Sequence, residues 1–148
     1  MASTTSYHPL QYWLLFVSLF RAFSVYTGYR NPLLFQQRVF PQQPSQLTPL
    51  AGRLFAIWTL LTCTLCIVTA LYINERGIFI VTYLSFIFAL IFFTLELVIY
   101  RTMYVQNIIP MVVIAGTSLV WMTLYYVQSP VLHHSTTGSV LHALKDSL

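Results

Sequence analysis

The sequence predicts an all-α integral membrane protein in which four transmembrane helices form a small bundle, and three observations carry that prediction. Hydrophobic residues make up 57% of the 148-residue chain and charged residues 7%, against roughly 25% charged in an average soluble domain. The segment Leu54 to Ile73 holds no charged residue, and at about 1.5 Å per residue some twenty residues cross a hydrocarbon layer roughly 30 Å thick. That segment and Ile78 to Tyr100 flank the polar tetrad Asn74-Glu75-Arg76-Gly77, the pattern of a transmembrane hairpin.

Taken in order, Met1 to Pro9 reads as a short disordered tail with His8 as its ionisable side chain. Leu10 to about Tyr29 is the first span, opened by Tyr12 and Trp13 and closed by Tyr26, Tyr29 and Arg30. Arg21 lies about 13 Å inside the Arg30 end and reaches that interface by snorkelling; a helix lying on the membrane is the alternative. Residues 30–53 form a polar loop, where Pro32, Pro41, Pro44 and Pro49 rule out a long uninterrupted helix.

The second span, about 54–73, carries small residues at fourth positions, Thr62, Cys66 and Ala70, with Thr59 and Cys63 beside them. Small side chains at that spacing let helices approach closely in lipid, and Ser85 and Ala89 offer a counterpart on the third span, about 78–100. A pore lined by Thr59, Thr62 and Thr69 is the sharper reading of the same threonines. Thr102 to Asn107 leads to the fourth span, about 108–127, with Asn107 as N-cap and Pro110 in the first turn. That span ends in a collar of Trp121, Tyr125 and Tyr126. Residues 128–148 are a polar tail whose Val140, Leu141 and Leu144 suggest a short surface helix.

A turn centred near Asn74 and Glu75 sets Arg53 opposite Glu96 at one membrane depth, where the two charges can pair. The alternative is that each snorkels to nearby headgroups. Arg30, Arg38, Arg53 and Arg101 fall on one side of the membrane, while Arg76 and Lys145 fall on the other. By the positive-inside rule the first side is cytosolic and both termini are lumenal.

Length leaves no room beside the spans for a soluble catalytic domain, so function sits in or beside the bilayer. A formal charge of +4, dispersed along the chain, is not a nucleic-acid footprint. Cys63 and Cys66 form a Cys-x-x-Cys in mid-span, where nothing lowers a thiol pKa, and read as packing residues. His8, His133, His134 and His142 all lie in tails, giving no metal site, and the scattered glycines give no dinucleotide fingerprint. No catalytic, cofactor-binding or metal residue is therefore assigned. Desolvated Glu96 as a general acid or base is the one enzymatic alternative.

The hairpin also carries a resemblance. Gly52-Arg53-Leu54-Phe55-Ala56-Ile57-Trp58-Thr59-Leu60-Leu61-Thr62-Cys63-Thr64-Leu65-Cys66 resembles the Arg-Thr-Phe-Gly-x-Trp-Thr-Leu segment of the ergosterol biosynthetic protein 28 family, most of all its plant-type branch. Leu84-Ser85-Phe86-Ile87-Phe88-Ala89-Leu90, then Phe93 and Glu96, is similar to the family's third segment, and Ala115-Gly116-Thr117-Ser118-Leu119-Val120-Trp121-Met122 to its fourth. Leu54 and Ala56 replace the family's usual Thr and Gly, and Ile91-Phe92 its Gly-His. The resemblance implies a non-catalytic, multi-pass scaffold of the endoplasmic reticulum membrane. It implies as partners the sterol C4-methyl oxidase, the 3β-hydroxysteroid dehydrogenase/C4-decarboxylase and the 3-ketosteroid reductase, beside membrane lipid. Arg53, Phe55, Trp58, Thr59, Thr62, Cys66, Ala70, Glu96 and Trp121 are the candidate partner or helix-packing positions. A sterol-modifying enzyme using Glu96 and a channel or transporter accessory subunit are the competing readings.

Overall fold

Prolines open helices here. The computed structural model describes residues 8–43 and 48–129, and these form α1 (Pro9–Arg30), α2 (Pro32–Val39), α3 (Pro49–Leu71), α4 (Arg76–Val98) and α5 (Val105–Gln128). Pro9, Pro32 and Pro49 each begin a helix, where the missing N–H has no partner to lose and the fixed φ already suits the first turn. Residues 30–53 are thus not a plain loop. They hold α2, and Thr48 Oγ1 accepts from Ala51 N at 3.2 Å to start α3 ahead of the expected Leu54.

His8 is also more ordered than a tail residue. Its Nδ1 accepts from Leu10 N at 3.2 Å, and its own N–H donates to Gln11 Oε1 at 2.7 Å, which satisfies two backbone groups at the start of α1. Residues 1–7 and 130–148, with the surface helix expected at Val140, Leu141 and Leu144, lie outside the described residues.

α3, α4 and α5 are each long and apolar enough to cross a membrane. α1 has the length, 22 residues, but Gln11, Ser18, Arg21 and Ser24 dilute its apolar character. Outward faces stay apolar, as at Leu54 (69% exposed) and Val120 (62%), which suits lipid.

α1 and α3 make the most extensive helix contact, ahead of the α3–α4 hairpin. The cause lies in the small stripe: Thr62, Cys63, Cys66 and Ala70 are all buried, and α1 covers them. Gln11 Nε2 donates to Ala70 O at 2.7 Å, and the Cys63 thiol donates to Ser18 O at 3.2 Å. The expected counterparts Ser85 and Ala89 are buried on α4. The hairpin is tied one turn closer to its bend, where the Thr69 and Thr82 hydroxyls share a 2.6 Å hydrogen bond.

Both ends of the bundle are stitched. At one, Tyr125 donates to Asn74 Oδ1 at 3.1 Å and its ring meets His8 edge-on at 4.7 Å. At the other, Gln42 N donates to Thr102 O at 3.1 Å and Gln43 Nε2 to Tyr100 O at 3.2 Å. Asn107 is inside α5 rather than its N-cap, which is Tyr104. The Asn107 side chain instead donates to Arg38 O at 2.8 Å, fastening α2 to α5. Arg101, at φ 50°, turns the chain between α4 and α5.

Candidate functional site

Toward the Arg53 end of α3, where Gly52 and Ala56 are still buried, Phe55 and Trp58 gather a group of rings. Phe55 meets Trp58 at 5.7 Å and Phe93 at 6.5 Å; Trp58 meets Phe92 at 5.4 Å; Phe40 closes the group from beyond α2 at 6.3 Å from Phe55. Most of these pairs are near-perpendicular, the edge-to-face geometry that ring quadrupoles favour, worth about 0.5–1.5 kcal/mol per pair beyond area. Beside these rings lies a cavity of about 110 Å³, walled by all four long helices and lined by Arg21 of α1, Phe55, Trp58, Thr59 and Thr62 of α3, Phe93 of α4 and Ala115 of α5.

Two hydroxyls of the cavity wall turn back onto their own helix. Thr59 Oγ1 donates to Phe55 O at 2.8 Å and Thr62 Oγ1 to Thr59 O at 2.9 Å, so both hydroxyls are spent on their own helix. Thr69, the third threonine of the pore reading, is fully buried against Thr82. The three hydroxyls line no common path. Glu96 is not part of the wall; its Oε2 accepts from Thr102 Oγ1 at 2.6 Å and its C=O from Thr102 N at 2.9 Å. That places the carboxylate at the end of α4 as the anchor of a chain reversal.

Arg53 and Glu96 form no ion pair. Arg53 shares the exposed face of α3 with Leu54 and Ile57, so its side chain points off the hairpin while Glu96 turns to Thr102. The register near the bend is close to the expected one, as Thr69 and Thr82 show; only the charge pair is absent. Cys66 and Ala70 belong to the α1 contact. Trp121 packs 6.1 Å from Trp13, whose Nε1 donates to Ser118 Oγ at 3.0 Å, joining α1 to α5.

Arg21 does not snorkel. Its guanidinium stacks 4.6 Å from the centre of the Phe86 ring, in the middle of α4 and away from the Arg30 end. The periodicity of α1 holds the signal for this: Leu10, Leu14 and Val17 are fully buried, and Arg21 continues the same stripe at the next helical step. Burying a cation among apolar helices is costly, and a desolvated cation–π contact returns about 2 kcal/mol. The five N–H donors of the guanidinium make no hydrogen bond or ion pair among the described residues, and the side chain lines the cavity.

Fold and site together define a small helical membrane protein in which several polar side chains, among them Gln11, Trp13 and Asn107, join helix to helix. The chain belongs to the family described as Erg28 like protein, which matches residues 10–120. It is 41% identical over 115 residues to ergosterol biosynthetic protein 28 of Arabidopsis thaliana, covering 78% of this chain and 88% of that protein. It is 35% identical over 111 residues to the Saccharomyces cerevisiae protein of the same name, covering 74% and 75%. Against the Homo sapiens homolog the identity is 28% over 93 residues, covering 63% and 66%. No solved structure matches the chain.

Proposed function

We propose that this protein is a non-catalytic scaffold of sterol biosynthesis in the endoplasmic reticulum membrane, with α1 as a fourth span beside α3, α4 and α5. Its partners are the sterol C4-methyl oxidase, the 3β-hydroxysteroid dehydrogenase/C4-decarboxylase and the 3-ketosteroid reductase. Membership of a family whose relatives are named for ergosterol biosynthesis carries the reading. The site supports it: the cavity wall holds no carboxylate or imidazole, and Glu96 is engaged by Thr102. A tether raises the local concentration of consecutive enzymes to about the millimolar range without new chemistry. An apolar intermediate then passes between them without escaping into the bilayer.

The fourth span is supported by the stripe Leu10, Leu14 and Val17, which is buried against α3 along the depth of the bundle. A helix lying flat on the membrane would not follow α3 from Ala70 past Cys63. A glycosylation acceptor placed at residues 42–45 should stay unmodified, while one in an extended C-terminal tail should be modified. Modification at both removes α1 as a span.

The scaffold itself is tested by purifying the protein from membranes in mild detergent. The expected result is recovery of the three enzymes with it, and no sterol conversion by the protein after they are stripped away. Sterol turnover by the stripped protein overturns the reading.

A further inference from the structure

The unsatisfied arginine is the feature that scaffolding leaves unused. Arg21 lies on the inner stripe of α1, stacks its guanidinium on Phe86, and lines a cavity walled in part by rings. No carboxylate among the described residues comes to it: Glu75 sits in the bend between α3 and α4, and Glu96 is bound to Thr102. A neutral guest such as water leaves the charge uncompensated, so the complementary guest is an anion. A transmembrane helix of another protein cannot supply it, because α1, α3, α4 and α5 all contribute to the wall and the space is about 110 Å³. A phospholipid phosphate is held at the headgroup level, about 13 Å from the Arg21 position along α1. A carboxylate has the two planar acceptors that match the guanidinium fork, and attached to an apolar body it can enter from the lipid.

The way in is visible. Phe20, 47% exposed, lines the cavity, and with Ser24 it also lines a groove of about 590 Å³ that runs to Arg30 and Arg38 at the arginine-rich end. That groove has room for the body of a fused-ring lipid, and its cations draw an acid toward it. We propose that the cavity and groove together bind a carboxylated sterol, with its carboxylate on Arg21 in the cavity and its rings in the groove along Phe20, Phe23 and Tyr26. The identity of the ring body rests on the sterol-biosynthesis reading above, in which an oxidase that converts a C4-methyl group to a carboxylate precedes a decarboxylase that consumes it. The protein then holds the acidic intermediate between the two enzymes, and neutral sterols before and after that step lack the group that binds.

The test uses the purified full-length protein in phosphatidylcholine nanodiscs, with no enzyme present. A labelled 4-carboxysterol, the 4-methylsterol with the same rings, and oleate are compared. The expected result is a Kd for the sterol acid about tenfold or more below that of the neutral sterol, the worth of one charge-assisted hydrogen bond. Arg21→Gln should erase the preference, and Arg21→Lys, which keeps the charge but loses the planar fork and the stacking on Phe86, should keep only part of it. Equal binding of acid and neutral sterol by the unaltered protein overturns the proposal without recourse to any variant. So does a preference that survives Arg21→Gln, and so does oleate competing as well as the sterol acid. Because no partner is in the assay, acid binding without enzyme recovery in the purification above refutes the scaffold alone, and the converse refutes this site alone.

Discussion

Two halves of α3 do opposite things with the same helix. From Thr62 to Ala70 small side chains let α1 close on it, backed by hydrogen bonds from Gln11 to Ala70 O and from Cys63 to Ser18 O. From Phe55 to Thr59 rings from α3, α4 and the residues after α2 gather beside a cavity. In lipid there is no hydrophobic drive between helices, so close packing and interhelical hydrogen bonds must supply the association. The tight half therefore holds the bundle together, and the ring half is free to take a guest or a partner.

The sharpest way to break that contrast is to overfill the tight half. Ala70→Phe forces a ring into the α1 contact and should destabilise the protein by about 3 kcal/mol, the upper range for overpacking. Low abundance and loss of the partners from mild-detergent purification should follow. Gln11→Leu should cost less, about 0.6–1.7 kcal/mol for one interhelical hydrogen bond, read as a lower thermal midpoint in detergent. Thr69→Val and Thr82→Val should each cost less again, with a coupling of about 0.6 kcal/mol in the double variant. Arg53→Gln and Glu96→Gln should be additive, whereas Glu96→Gln and Thr102→Val should couple. Thr59→Ala, in the ring half, should change stability by about 0.5 kcal/mol or less, because its hydroxyl serves only its own helix. Equal losses from Thr59→Ala and Gln11→Leu would erase the distinction between the halves.

Much of this was legible in the residues. Apolar length announced α3 to α5, and fourth-position spacing announced that Thr62, Cys66 and Ala70 would be a helix contact. What sequence did not disclose was the partner in that contact, because neighbours in the chain suggest a hairpin while α1 has the better complementary face. Periodicity did contain the inward direction of Arg21, as the step after Leu10, Leu14 and Val17. The habit of sending every intramembrane arginine to the nearest headgroup hid it. The prolines exclude a long helix across residues 30–53 but not a short one, since Pro32 and Pro49 occupy first turns, where they favour the helix. The Arg53–Glu96 pair failed through helix face rather than depth, since a register fixes which residues are level and not which way each one points.

Sterol analysis in cells lacking the protein tests most directly whether it organises enzymes without performing a reaction. Each C4-demethylation enzyme, solubilised and assayed alone from those cells, should retain its intrinsic activity, since tethering governs encounter rather than barrier height. In the intact cells 4-methyl, carboxylated or 3-keto sterols should nonetheless accumulate, and Thr62→Leu should reproduce that pattern although it touches no group capable of proton transfer. A single sterol conversion lost from the null extracts and restored by adding the purified protein alone would contradict that organising role.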